Sequence, residues 1–417
     1  MSLELEWGFI QPLQKASTPT AALSDFHPGS SNEHSLFDEA DGHSISSASV
    51  AHSIHPDPLS GPMAWYGKNI KPTDYIVRLT SSELLQIRAA VIHFKLLKLD
   101  CSQINKTTFP LPAELSAKLA EASVQLHDGI GIVVIRGIKA QSYNAEESVI
   151  AFTGVTAHIC PDRATDYKAY MTLTHIRDAS RDPVPKSAEG IGLAASKLPE
   201  ALKFHADRFS GDVLSLYVAD SGNISGQGEQ YFASSWTVYN ELLKTEPQVV
   251  ETLQKDDWPW EVKDRDGVPH LHLGPAMYRT PDGKIILQLV HAPLKGNTRI
   301  PRSAHMPSLS KSQEHALQVV EETARRVSMT LDHQRGDIQL FHNLSLMHAR
   351  SAYEGGDNKR NTRHLLRLFL RDPERCWEKP EKYADLFNSP FDNDFPQTFP
   401  IIDDDPWRKT AGSLSHG

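Results

Sequence analysis

The chain has 417 residues, and 43 Lys+Arg against 52 Asp+Glu give a formal charge of −9 with histidine neutral, which argues against nucleic acid or an anionic membrane as the main partner. A hydrophobic share of 39% beside 23% charged residues excludes collagen-like, coiled-coil and wholly disordered chains and supplies the side chains of a sizeable core. Three cysteines, Cys101, Cys160 and Cys376, form no CxxC pair, so a reducing, cytoplasmic setting is expected.

Residues 1–58 read as a flexible N-terminal extension. Met1 to Ser17 lack the basic start and apolar run of a secretory signal, and Gln14 to Pro58 carry little apolar periodicity to offset the entropy of ordering. No stretch reaches the roughly 18 apolar residues of a membrane helix. Order is expected from the Gly61–Gly67 stretch onward, where aromatics first cluster, in a single catalytic domain over 59–385 followed by a C-terminal extension over 386–417.

Thr80 and Glu83 make a capping box ahead of Leu84, Ile87, Val91 and Phe94, a spacing that predicts a helix. Leu115, Leu119, Ala122 and Leu126 predict a second helix, stopped by Gly129 before an apolar strand over Ile130–Ile135. Asn144 and Glu147 cap a helix through Phe152, and Val213–Val218 and Lys284–Val290 have strand composition. Ser310 and Gln313 cap the clearest helix, striped by Leu317, Val320, Ala324 and Val327, with strands after Gly336 and around Leu365–Leu370. Strand-rich blocks without regular βαβ alternation indicate an α+β fold around an antiparallel sandwich or barrel.

Among 20 histidines, two His-x-Asp matches occur. Residues i and i+2 of a strand project to one side, so such a pair joined by a distant histidine can form a facial triad for Fe(II) that leaves coordination positions open. His55-Pro56-Asp57 sits in the extension and reads as an accidental match; His205-Ala206-Asp207 lies in a strand-like block, with His348 the natural third ligand. On the last strand Arg363, Leu365, Arg367 and Phe369 alternate onto one face, placing two guanidinium groups where an apolar interior is expected unless an anion pairs with them. A dicarboxylate such as 2-oxoglutarate meets that need, because arginine clamps a carboxylate in a planar, two-point contact. Internal salt bridges, or a face turned to solvent, are the alternatives. His270-Leu271-His272 lacks a nearby carboxylate, and Trp236, Tyr239, Phe341, His342 and His175 read as core or pocket-lining residues.

Several ordered blocks, among them KFHADRFSGDVLSLYVA, SSWTVYNELL, GDIQLFHNLSLMHARSAYEGG and TRHLLRLFLRD, resemble the taurine dioxygenase (TauD/TfdA) family of Fe(II)- and 2-oxoglutarate-dependent oxygenases, in particular its fungal-type members. The resemblance implies a double-stranded β-helix (jelly-roll) core with helices outside. It places the iron triad on His205, Asp207 and His348 and the cosubstrate's far carboxylate on Arg363. Arg367 is left to cosubstrate or substrate, and Ser234 is the first candidate for the hydroxyl that assists the carboxylate, with a helix N-cap as its other reading. Ala206 and Arg208 depart from the family's pattern. The implied cofactors are Fe(II), 2-oxoglutarate and O2, and the implied partner is a small molecule, anionic or an amino acid, with no nucleic acid or membrane; a homo-oligomer stays open. Hydroxylation with release of succinate and CO2 is the default outcome. Oxidative cyclisation or desaturation on a fungal natural-product route, an iron oxidase without the oxo acid, and a silent jelly-roll binding protein are the other readings.

Overall fold

The computed structural model describes residues 57–166, 171–184, 186, 193–222, 227–263, 268–296, 301–353, 363–392, 394–403 and 406. Most of the expected N-terminal extension, with His55-Pro56, therefore lies outside the described residues. In chain order the elements are β1 (Ile76–Arg78), α1 (Ser81–Leu97), α2 (Ala113–Asp128), β2 (Ile132–Arg136), α3 (Ala145–Ala157), β3 (Asp162–Arg163), β4 (Thr174–Arg177), β5 (Leu202–His205), β6 (Val213–Asp220) and β7 (Gln230–Ser234). There follow α4 (Ser235–Thr245), α5 (Pro247–Gln254), β8 (Trp258–Lys263), β9 (Pro269–Gly274), β10 (Met277–Arg279), β11 (Ile285–Leu287), α6 (Ala292–Lys295), α7 (Lys311–Val327), β12 (Met329–Thr330), β13 (Ile338–His342), β14 (Leu346–Arg350), β15 (His364–Arg371) and α8 (Ala384–Asn388).

The local signals hold where they rest on capping. Thr80–Glu83, Asn144–Glu147 and Ser310–Gln313 all form reciprocal capping boxes at the starts of α1, α3 and α7. The helix α3 runs past Phe152 to Ala157 and is buried throughout its second half; a helix with no polar face shows no periodicity by which its end could be read. The strand expected over Lys284–Val290 shortens to β11, because Gln288 and its neighbours turn to contact the loop after β5.

The result is a mixed α+β architecture in layers. One sheet runs β1-β2-β13-β6-β15-β3, with β4 also on β15, and a second runs β12-β7-β14-β5. Their facing sides meet in one apolar layer that includes Leu214, Leu216, Phe341, Leu365, Phe232 and Leu346, and the Phe232 and Phe341 rings stack across it at 4.0 Å. Behind the first sheet α1, α2 and α3 cover a second apolar layer, and behind the second sheet α4, α5 and α7 cover a third. Among the described residues no helix is long and apolar enough to cross a membrane.

Gly336 turns the chain into β13 at φ +92°, and a Cβ there would lie 1.8 Å from the Ile138 carbonyl oxygen. Gly336→Ala is expected to cost more than about 1 kcal/mol, since both the backbone conformation and the space exclude it. A urea midpoint equal to that of the parent would show that the turn relaxes freely.

Candidate active site

Antiparallel pairing of β5 with β14 makes His205 and His348 direct cross-strand partners, which places their side chains on one face within roughly 5 Å. Their rings lie 4.1 Å apart between centroids. Asp207, two residues beyond His205 on the irregular segment after β5, brings its Oδ2 to 3.8 Å from His348 Nε2. One donor atom from each of the three residues lies within 4.8 Å of the others. His205 Nδ1 is 2.8 Å from the Lys203 carbonyl oxygen; a carbonyl only accepts, so Nδ1 carries a proton and Nε2 is the ring nitrogen left to face an ion. Burial, reinforced by neighbouring His205 and partly offset by Asp207, lowers the His348 pKa to about 3. Two imidazoles and one carboxylate in this arrangement form a donor set that could hold a divalent first-row metal ion such as Fe(II).

The three side chains line a pocket between the sheets together with Arg350, Arg363, Arg367 and Gln230. The alternation expected on β15 is present: Leu365 and Phe369 face the layer between the sheets, and Leu366, Leu368 and Leu370 face the helices. Arg363 Nη1 has no hydrogen-bond partner among the described residues, and burial together with the Arg350 charge pushes its pKa down to about 9. Arg367 donates from Nε to Thr174 Oγ1 at 3.0 Å, and its burial penalty is eased by the Asp207 charge, which places it toward the metal end.

Two pocket residues escaped the sequence reading. Arg350, two residues beyond His348, faces the same side and donates through Nη2 to the Leu198 and Glu200 carbonyl oxygens, while its Nε and Nη1 lack partners among the described residues. Gln230 pairs with Arg350 across β7 and β14 and has a buried Nε2 without a partner among the described residues. The Arg350 and Arg363 guanidinium carbons lie 4.7 and 5.7 Å from the centre of the Tyr353 ring, whose hydroxyl is also unpartnered among the described residues. A buried cluster of donors this rich, with no ion pair to Arg350 or Arg363 among the described residues, is costly unless an anion enters it. The i, i+2 step from His348 to Arg350 was the available signal.

Ser234 corrects an expectation. Its hydroxyl donates to the Met63 carbonyl oxygen and accepts from the Thr237 amide, capping α4, and it is not among the residues lining the pocket. Four residues of strand, roughly 13 Å, separate it from Gln230. Arg208 is also turned away. Its guanidinium lies 4.5 Å from the Phe209 ring centre and 4.0 Å from that of Trp260, and donates to Tyr278 Oη at 2.7 Å. Trp236 and His342 pack on Trp377, Tyr239 accepts from Arg279, and His175 pairs with His364 and the Pro400 carbonyl. His270 and His272 sit on β9, and neither belongs to a cluster of metal-ligating groups among the described residues.

Residues 95–369 match the family model described as taurine catabolism dioxygenase TauD, TfdA family. The chain is 32% identical over 340 residues to the taurine hydroxylase-like protein SAT17 of Stachybotrys chartarum (strain CBS 109288 / IBT 7711), covering 81% of this chain and 86% of that protein. It is 24% identical over 268 residues to the FR-33289 synthase of Streptomyces rubellomurinus (strain ATCC 31215), covering 62% and 75%. Among solved structures, an asparagine oxygenase in complex with Fe(II), 2S,3S-3-hydroxyasparagine and succinate superposes with TM-score 0.50 at 12% identity, covering 72% of this chain and 94% of that one. The non-heme iron oxygenase OrfP in complex with Fe, succinate and (3S)-hydroxy-L-Arg superposes with TM-score 0.51 at 12% identity, covering 71% and 94%. From the extent of the family match and the 32% identity to a fungal relative, this chain belongs to the taurine catabolism dioxygenase (TauD, TfdA) family of Fe(II)- and 2-oxoglutarate-dependent dioxygenases.

Proposed function

We propose that the chain oxidises an unactivated C–H bond of a small anionic molecule, inserting one oxygen atom of O2 while the other converts 2-oxoglutarate to succinate and CO2. The two facing sheets are read as the halves of a double-stranded β-helix whose open end carries the reaction. The observation that supports this most is the convergence of His205, Asp207 and His348 in a pocket that also holds Arg350 and Arg363, whose guanidinium groups keep unpartnered N–H groups among the described residues.

Bound by these three side chains, iron supplies the redox chemistry of dioxygen that amino acids lack. The protein's part is placement. His205 and His348 present their lone pairs from paired strands, and Asp207 supplies the negative charge. Arg363 binds the far carboxylate of 2-oxoglutarate, supported by Arg350 Nη1, Gln230 Nε2 and Tyr353 Oη. Phe232, Leu214 and Leu216 keep water from the carbon chain between the two ends. Arg367, nearer Asp207, remains for the anionic group of the substrate.

Succinate formation with Fe(II), 2-oxoglutarate and a panel of amino acids and other small acids tests the reading. Turnover should require iron and be stimulated by an anionic compound. Arg367→Ala should reduce that stimulation at least tenfold while leaving slow, substrate-independent succinate release in place. An iron-loaded protein that converts no 2-oxoglutarate with any candidate would overturn it.

A further inference from the structure

The segment carrying Asp207 is not part of either sheet. The strand β5 ends at His205 and β6 starts at Val213, and between them Phe209 takes a left-handed backbone conformation (φ +51°). The main-chain groups of such an excursion have no ladder, yet in a buried place they need partners. Ala206 N–H donates to the Leu289 carbonyl at 3.2 Å. For Asp207 the shortest partner bonds come from a side-chain amide: Asn343 Oδ1 accepts from Asp207 N at 3.1 Å, and Asn343 Nδ2 donates to the Asp207 carbonyl at 2.8 Å and the Gly211 carbonyl at 2.9 Å. The Asn343 backbone N–H donates to the Asp212 carbonyl at 2.9 Å. A longer second clamp comes from Gln288, which donates to the Asp207 carbonyl and accepts from Phe209 N, both at 3.4 Å.

Asn343 and Gln288 are buried, and Asn343 sits in the turn between β13 and β14, five residues before His348. The site needs one acceptor and two donors at the end of a short side chain. Asparagine supplies that set; aspartate offers acceptors only and serine has one donor.

We infer that Asn343 is a positioning residue for the metal centre, locking the backbone of Asp207 to the hairpin that carries His348 so that the carboxylate and the imidazole keep a fixed separation. The inference rests on the triad reading given above. It concerns how the ligands are held, since Asn343 itself offers nothing to the ion.

Anaerobic titration of the metal-free full-length protein with Co(II), followed by its visible ligand-field absorption, reads affinity and geometry without turnover. Thermal melting of the metal-free proteins is measured beside it. Asn343→Asp sets a carboxylate against two carbonyl oxygens and is expected to weaken Co(II) roughly 10–100-fold, the range for groups that orient metal ligands, with a changed band pattern. Gln288→Ala loses only the two longer bonds, so it remains folded where Asn343→Asp fails to, and is expected to weaken Co(II) about threefold or more. Leu119→Ala, in α2 on the far side of the first sheet, should melt lower but bind Co(II) as the parent does. Parent-like affinity and spectrum in every folded clamp variant overturns the inference and leaves the triad intact. Failure of the parent itself to bind Co(II) overturns the triad reading, and the inference with it.

Discussion

Asp207→Ala is expected to abolish iron-dependent succinate formation. The carboxylate is buried, at 2% exposure, and is the one formal negative charge among the three converging side chains, so its removal leaves a divalent ion facing two neutral imidazoles and the nearby Arg367 charge. Removing one member of a buried charge pair costs about 3–5 kcal/mol, and at about 1.4 kcal/mol per tenfold iron should bind roughly a hundred- to several thousand-fold more weakly. Anaerobic Fe(II) titration measures this directly, and melting of the metal-free variant shows whether the fold persists. A variant with parent-like iron affinity and turnover would remove Asp207 from the proposed ligand set.

Arg363→Ala is expected to act on the other end of the pocket. Losing the buried guanidinium partner of a carboxylate costs about 2–5 kcal/mol, so KM for 2-oxoglutarate should rise roughly 30-fold or more, with kcat changing far less. Arg363→Lys should recover little, because a single ammonium cannot reproduce the planar two-point contact. Arg350→Ala should raise the same KM by a smaller factor, and the double variant should be less than additive because both guanidinium groups flank Tyr353. The free protein carries the cost of these donors. Arg363→Met should therefore melt at or above the parent temperature, while 2-oxoglutarate with a redox-inert metal raises the melting temperature of the parent alone. Unchanged KM with a fallen kcat would place the carboxylate elsewhere, and full activity without the oxo acid would point to an iron oxidase.

The sequence carried what short-range chemistry fixes. Capping boxes at Thr80, Asn144 and Ser310 need only a hydroxyl or amide and a carboxylate or amide three residues apart, and the alternation of Arg363, Leu365, Arg367 and Phe369 needs only the twofold period of a strand. The His-x-Asp match was legible as residue types, and the ordered blocks around it made the family legible. Ser234 was readable either as a cosubstrate contact or as a helix cap, and tertiary structure decided between them: while accepting from the Thr237 amide, its hydroxyl spends its one donor on the Met63 carbonyl, 171 residues away.

Tertiary structure decided the rest. Sheet register set His348 opposite His205, placed Gln230 opposite Arg350, and brought Asn343 against the backbone of Asp207 across 136 residues of sequence. Register follows from the burial of whole strands summed over two sheets, a quantity that no window of neighbouring residues contains. The sequence by itself thus determined which side chains were available for metal and carboxylate chemistry, and folding decided which of them meet, because only the packed sheets make the cost of a buried, unpaired charge depend on residues far along the chain.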